Sequence, residues 1–129
     1  MLTQDPANEI TSKIIGCAIE VHRHLGPGLL ESAYEQCLLH ELHKNDLTFK
    51  TQLGVAVHYK GVTLSCGFKL DLIVEDQVLV EIKAVEQLGW LHEAQLLTYL
   101  RLTGKRLGLV INFNVPVLKH GIRRIINTK

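Results

Sequence analysis

The segment KLDLIVEDQVLVEIKA, residues 69–84, constrains the fold more than any other part of this chain. Its apolar residues alternate or run together as they do in buried strands, yet it carries Asp71, Glu81 and Lys83. Side chains two apart on a strand share a face, so Glu81 and Lys83 point one way while Val80 and Ile82 point the other way, into a core. With Glu75-Asp76-Gln77 as the connecting loop, Val74 pairs with Val78 and Leu72 with Val80. The same register sets Asp71 opposite Glu81 and Lys69 opposite Lys83. A loop of two or four residues would turn Asp71 to the other face, and the apolar pairing of Leu72 with Val80 argues against both.

Two carboxylates facing each other across a sheet repel and destabilise it. A divalent cation removes that cost, since Mg²⁺ takes one or two carboxylates together with water and phosphate oxygens. Lys83 beside the pair would steady an attacking water or the charge developing on phosphorus. The competing reading is a solvated ladder of Lys69, Asp71, Glu81 and Lys83 on the open face of a half-exposed sheet.

Around this hairpin, 129 residues with 47% hydrophobic content predict one domain with a real core. Asp5-Pro6 starts a helix as cap and first turn, and Ile10, Ile14, Cys17, Val21 and Leu25 keep its period until Gly26-Pro27-Gly28 stops it. A second helix spans roughly 29–44. From residue 48 the period becomes two, with strands near 55–59, 62–66, 67–74 and 78–85. A third helix, 90–104, is apolar on most sides and so should be well buried, with Trp90 anchoring it on the sheet. Residues 107–112 read as a strand covered on both faces, and 121–126 as a last strand. The fold class is mixed α/β, with a strand meander at its centre.

Other signals mostly exclude functions. No run of 18 apolar residues occurs, so no membrane span is expected. The N-terminal MLTQDPANEI has acids where a signal peptide needs bases, and Cys17, Cys37 and Cys66 are odd in number with no C-x-x-C. Both point to a cytoplasmic protein with reduced thiols. His22 and His24 diverge on their helix, and His40 and His43 sit beside Glu41 and Lys44 on a solvated face, so neither pair suggests a metal site. Charge is uneven: residues 1–100 hold all 13 acids and seven of the 14 Lys and Arg, whereas 101–129 hold the other seven bases and no acid. Such a split suggests a polyanion-binding face that includes Arg123 and Arg124; the alternative is an ordinary solvated basic tail.

Asp71, then nine residues, then Glu81-Ile82-Lys83 resembles the D…(D/E)-x-K signature of the PD-(D/E)XK nuclease superfamily. GLLESAY (28–34) is similar to the signature of the small bacterial GxxExxY proteins through Gly28, Glu31 and Tyr34. HEAQLLTY (92–99) and INFNVP (111–116) resemble later blocks of that family, and Gln95 to Tyr99 resembles the Q-x-x-x-Y element of the RecB and lambda exonuclease branch. The resemblance implies a restriction-endonuclease-like αβββαβ core with an extra N-terminal helix. It implies Asp71, Glu81, the Ile82 carbonyl and Glu31 as ligands of Mg²⁺ or Mn²⁺, Lys83 as catalytic lysine and Gln95 as an orienting group. Tyr99 and Tyr34 would touch substrate phosphate. Leu70 stands where the superfamily's proline would be.

The expected function is metal-dependent hydrolysis of nucleic acid, DNA ahead of RNA, by a domain spanning residues 1–129, with a homodimer by analogy only. The alternative is a slow or inactive nucleic-acid- or partner-binding module on the same fold. A glycosidase using the two acids fits poorly beside Lys83.

Overall fold

Pro6 opens the first helix, α1 (Pro6–Leu25), at a position where a missing backbone N–H costs nothing. The computed structural model describes residues 6–128; Asp5, expected to cap this helix, and Lys129 lie outside the described residues, as does the side chain of Cys66. Gly26 and Gly28, at φ 67° and 104°, turn the chain from α1 into α2 (Glu31–Lys44). The elements β1 (Phe49–Tyr59), β2 (Val62–Val74), β3 (Val78–Lys83), α3 (Trp90–Thr103) and β4 (Leu107–Asn112) follow. A 3₁₀ turn (Leu118–Gly121) and β5 (Ile122–Ile126) complete the order. The strands form one five-stranded mixed sheet ordered β1-β2-β3-β4-β5, in which only β3 and β4 run parallel. From α2 to β4 this is the expected αβββαβ order of a restriction-endonuclease-like fold, with α1 as the extra helix.

Helices cover both sheet faces. On one, Ile14 of α1 and Leu38 and Leu42 of α2 pack with Leu72, Val80, Ile82, Leu109 and Ile111. On the other, Leu96, Tyr99 and Leu100 of α3 pack with Leu70, Ile73, Leu79 and Val110. The approach is close: a Cβ on Gly108 of β4 would stand 2.9 Å from Leu96 Cδ2, so any side chain there would displace Leu96. No helix among the described residues is long and apolar enough to cross a membrane.

One irregularity positions everything that follows. Leu70 packs on the α3 side and Leu72 on the α1–α2 side, although residues two apart on a regular strand share a face. The chain therefore rotates at Asp71. Its neighbour does the same: on β1, Phe49 packs with the α1–α2 cluster and Leu53 with the α3 cluster, around Gln52 at φ 52°. Both strands twist at one level, and β2 leaves β3 there.

Several expectations need correction. The strands expected at 62–66 and 67–74 are one continuous strand, bent at Gly67 (φ 75°) beside a register shift against β1, so the glycine marks a bulge and not a break. Helix α3 buries only Leu96, Tyr99 and Leu100; Trp90 is 78% exposed and anchors nothing on the sheet. Apolar content on nearly every side of α3 thus reflects an exposed N-terminal end.

Candidate active site

The β2–β3 hairpin turns through Glu75, Asp76 and Gln77 with Val74 opposite Val78, Ile73 opposite Leu79 and Leu72 opposite Val80, the register expected from its apolar pattern. Regular pairing stops there. In the next row the carboxylates take over from the ladder: the Asp71 backbone N–H donates to Glu81 Oε1 at 2.9 Å, and the Ile82 backbone N–H donates to Asp71 Oδ2 at 2.8 Å. Each acid thus uses one oxygen to hold the other strand's backbone. A residue's N–H and C=O leave a strand on the same side, so the Ile82 carbonyl also projects toward Asp71. Lys83 Nζ lies 3.8 Å from Glu81 Oε2. Lys69, expected opposite Lys83, instead pairs with Gly54 of β1, because β2 has already parted from β3.

Burial makes the charge expensive. Glu81 is 5% exposed, and burial, with the charge of Asp71 added, pushes its carboxyl up to about 7. Asp71 is raised as well, mainly by burial, although the Ile82 N–H and Lys83 favour its ionised form and Glu31 opposes it. The solvated charge ladder fails on this burial: Glu81 is buried and Asp71 half-buried between β2 and β3, and not on an open face.

Helix α2 brings further acids within electrostatic reach of the pair. Gly28 and Tyr34 build the turn that presents Glu31: the Tyr34 hydroxyl donates to the Gly26 carbonyl at 2.6 Å and accepts the Leu29 N–H at 3.1 Å. Glu31 is then the first residue of α2, where a negative charge suits the helix dipole. Its charge acts on Asp71 and Glu81. Glu35, one turn later, is raised by burial and then by Asp71, and it accepts a 3.4 Å hydrogen bond from Gln52, the rotated residue of β1.

Comparison with known families decides what this geometry belongs to: a family described as PD-(D/E)XK nuclease superfamily matches residues 8–125. The chain belongs to the PD-(D/E)XK nuclease superfamily. No curated protein and no solved structure matches it in parallel comparisons. Membership points to a metal-dependent nuclease, and members of the superfamily generally use divalent metals.

The nuclease residues present suit such an ion. Two carboxylates, each with an oxygen not committed to the neighbouring strand, and a backbone carbonyl in the same gap are hard oxygen donors of the kind Mg²⁺ accepts. Among the described residues no group of three His, Cys, Asp or Glu side chains is close enough to hold a metal as it stands, so Glu31 acts on the pair by charge from a distance.

The other expected residues divide. Tyr99 of α3 is near enough that Glu81 and Asp71, after burial, raise its hydroxyl's pKa, and Gln95 lies exposed one turn earlier on the same helix. Tyr34 cannot contact substrate: it is fully buried, its hydroxyl is occupied by the turn and its ring stacks on Phe113 at 4.5 Å. Arg123 shares a face and a row with Glu81, two strands away, and its Nε lies 3.9 Å from Glu93. Arg124, one residue on, is on the opposite face and donates to Asn8 of α1. The two arginines do not form one phosphate track.

Two site residues escaped the sequence. Glu35 gave only the weak signal of lying four residues after Glu31, one helical turn on. Asn112, buried at the end of β4, exchanges hydrogen bonds with Val85 (3.0 Å to its N–H, 2.9 Å to its carbonyl) and so fixes the chain just past Lys83. An asparagine ending an apolar strand resembles an ordinary turn residue, which hid that role.

Proposed function

We propose that this chain works as a single-domain deoxyribonuclease of the GxxExxY group, allied to the RecB and lambda exonuclease branch and dependent on Mg²⁺ or Mn²⁺. The observation that carries this reading is the reciprocal carboxylate–backbone bond where β2 and β3 part, with Lys83 beside it. Asp71, Glu81 and the Ile82 carbonyl would hold the ion, with Glu31 adding charge from α2. A divalent ion there would polarise a phosphate oxygen and lower the pKa of water. Lys83 holds positive charge where negative charge grows on the phosphate during attack. Tyr99, kept protonated by burial and by the acids, can only donate toward a phosphate oxygen. Gln95, exposed one turn away, orients water or substrate. DNA is favoured over RNA through the likeness of the Gln95–Tyr99 element to that of DNA exonucleases.

The test is incubation with end-labelled single- and double-stranded DNA and RNA in Mg²⁺, Mn²⁺ or EDTA. Cleavage of DNA with metal and none in EDTA is expected. Asp71→Asn should abolish it. Lys83→Met should slow it on the order of a hundredfold, the scale for one preorganised charge-stabilising donor, while leaving calorimetric metal affinity nearly unchanged. A wild-type protein that binds nucleic acid but never cuts it with either metal would be a binding module instead.

A further inference from the structure

The hairpin of β1 and β2 continues well past the point where β2 leaves β3. Ten residues separate Leu72, in the last ladder row, from Val62, and at about 3.3 Å each they carry the arm roughly 30 Å away. Because β2 runs antiparallel to β3, the arm leaves from the end of the sheet that carries Glu81 and Lys83.

Its two faces differ. Val57 pairs with Leu64 and Tyr59 with Val62, and alternation from Val55, which packs on the α3 side, puts all four on that side. Tyr59 is 56% exposed, Val62 53% and Leu64 41%. Phe68 at the root joins this face to the site: it is 44% exposed and its ring lies 6.3 Å from that of Tyr99, which senses the two acids. The exposed Trp90 stands at the start of α3. The α3 side of the arm is therefore an exposed apolar face at its tip and again at its root beside Tyr99.

Charge identifies what covers it. Between Asp46 and Asp71 the chain has no acid, and the arm itself carries Lys60 and Lys69. Lys60 Nζ lies 5.3 Å from the centre of the Tyr59 ring, so a cation and an aromatic ring share the tip. Aromatic rings with adjacent cations are what an unpaired strand requires, its bases stacking and its phosphates neutralised. A second copy of the chain adding to the free edge of β2 is the rival occupant. The bulge at Gly67 and the charge of Lys69 on that edge both hinder strand pairing.

We infer that the β1–β2 arm binds single-stranded nucleic acid along Tyr59, Val62, Leu64 and Phe68 and leads it to Asp71 and Glu81. The destination rests on the nuclease reading, but the binding surface is read separately from it. Fluorescence anisotropy of a labelled 20-nucleotide oligothymidine in EDTA and low salt measures binding without cleavage. Tyr59→Ser, at the exposed tip, and Phe68→Ser should each weaken binding roughly tenfold, within the range for loss of one stacked base, with melting temperature as the folding control. The same changes should affect blunt duplex much less. The tip variant decides the question if Phe68→Ser proves unstable.

Oligonucleotide affinity unchanged in Tyr59→Ser, or no binding by wild type, overturns the arm. So does a wild-type dimer, seen by sedimentation, that Tyr59→Ser splits with oligonucleotide affinity intact, because the face would then join copies. Arm-dependent binding without any cleavage in metal would support the arm and defeat the nuclease reading. Cleavage with arm-independent binding would do the reverse.

Discussion

Glu81 shows how a single carboxylate links stability to metal binding. Its folded carboxyl holds a proton up to about 7, well above the ordinary value of 4.5 that applies once the chain unfolds. Between those values the folded state binds more protons than the unfolded state, so folding stability falls as pH rises through the window. Asp71, also raised, acts in the same direction. The loss from Glu81 is on the order of 3 kcal/mol and is complete only above its folded value. Urea unfolding in EDTA from pH 5 to pH 8 should show declining stability, and Glu81→Gln should flatten the decline. A wild-type protein that gains stability over this range would mean that the acids are held ionised by partners and not strained by burial. At pH 8, Mg²⁺ should restore stability to wild type by linkage and give Asp71→Asn little.

Among the elements, the join of α1 to α2 gives the Gly28–Glu31–Tyr34 signature a physical meaning: two of its members form the turn and one faces the site. Tyr34→Phe leaves the Gly26 carbonyl and the Leu29 N–H without the hydroxyl that now serves both. It should cost about 1–3 kcal/mol in unfolding free energy and lower cleavage through misplacement of Glu31. In a Glu31→Gln background Tyr34→Phe should bring little further loss of cleavage, a coupling that a double-mutant cycle measures; full additivity would separate the turn from the acid. The family resemblance had implied a substrate contact for Tyr34, because a motif fixes a residue's place in the chain and not its depth in the fold. The hairpin was more legible. Val74 opposite Val78 follows from a two-residue pleat and the pairing of Leu72 with Val80, and the structure has that register. What period could not reveal was the end of the ladder, since Asp71 rotates out of the strand's alternation and bonds to backbone groups that pairing would otherwise satisfy.

Across the whole molecule, the acids gather near one end of the sheet, and a phosphate backbone must approach that end against their field. The seven bases after residue 100 suggested the counterweight, but alternation along β5 sends Arg123 and Arg124 to opposite faces. Lys105 pairs with Asp76 at 3.5 Å, beside the β2–β3 turn and away from the carboxylates. Charge along a sequence therefore did not predict charge in space; the strand pleat and the sheet's two ends dispersed it. Lys60 shares the tip of the arm with Tyr59, whereas Lys69, between Phe68 and Leu70, alternates to the opposite face. Each phosphate neutralised on a single strand contributes about 0.7 to the slope of log affinity against log salt. Lys60→Ala should therefore flatten that slope by roughly 0.7 for a single-stranded oligonucleotide, whereas Arg124→Ala, whose guanidinium is held by Asn8 on the far face, should leave it unchanged. If Arg124→Ala flattened the slope and Lys60→Ala did not, the polyanion would run along β5 and α1, and the acids of the β2–β3 gap would be reached from the opposite side of the sheet.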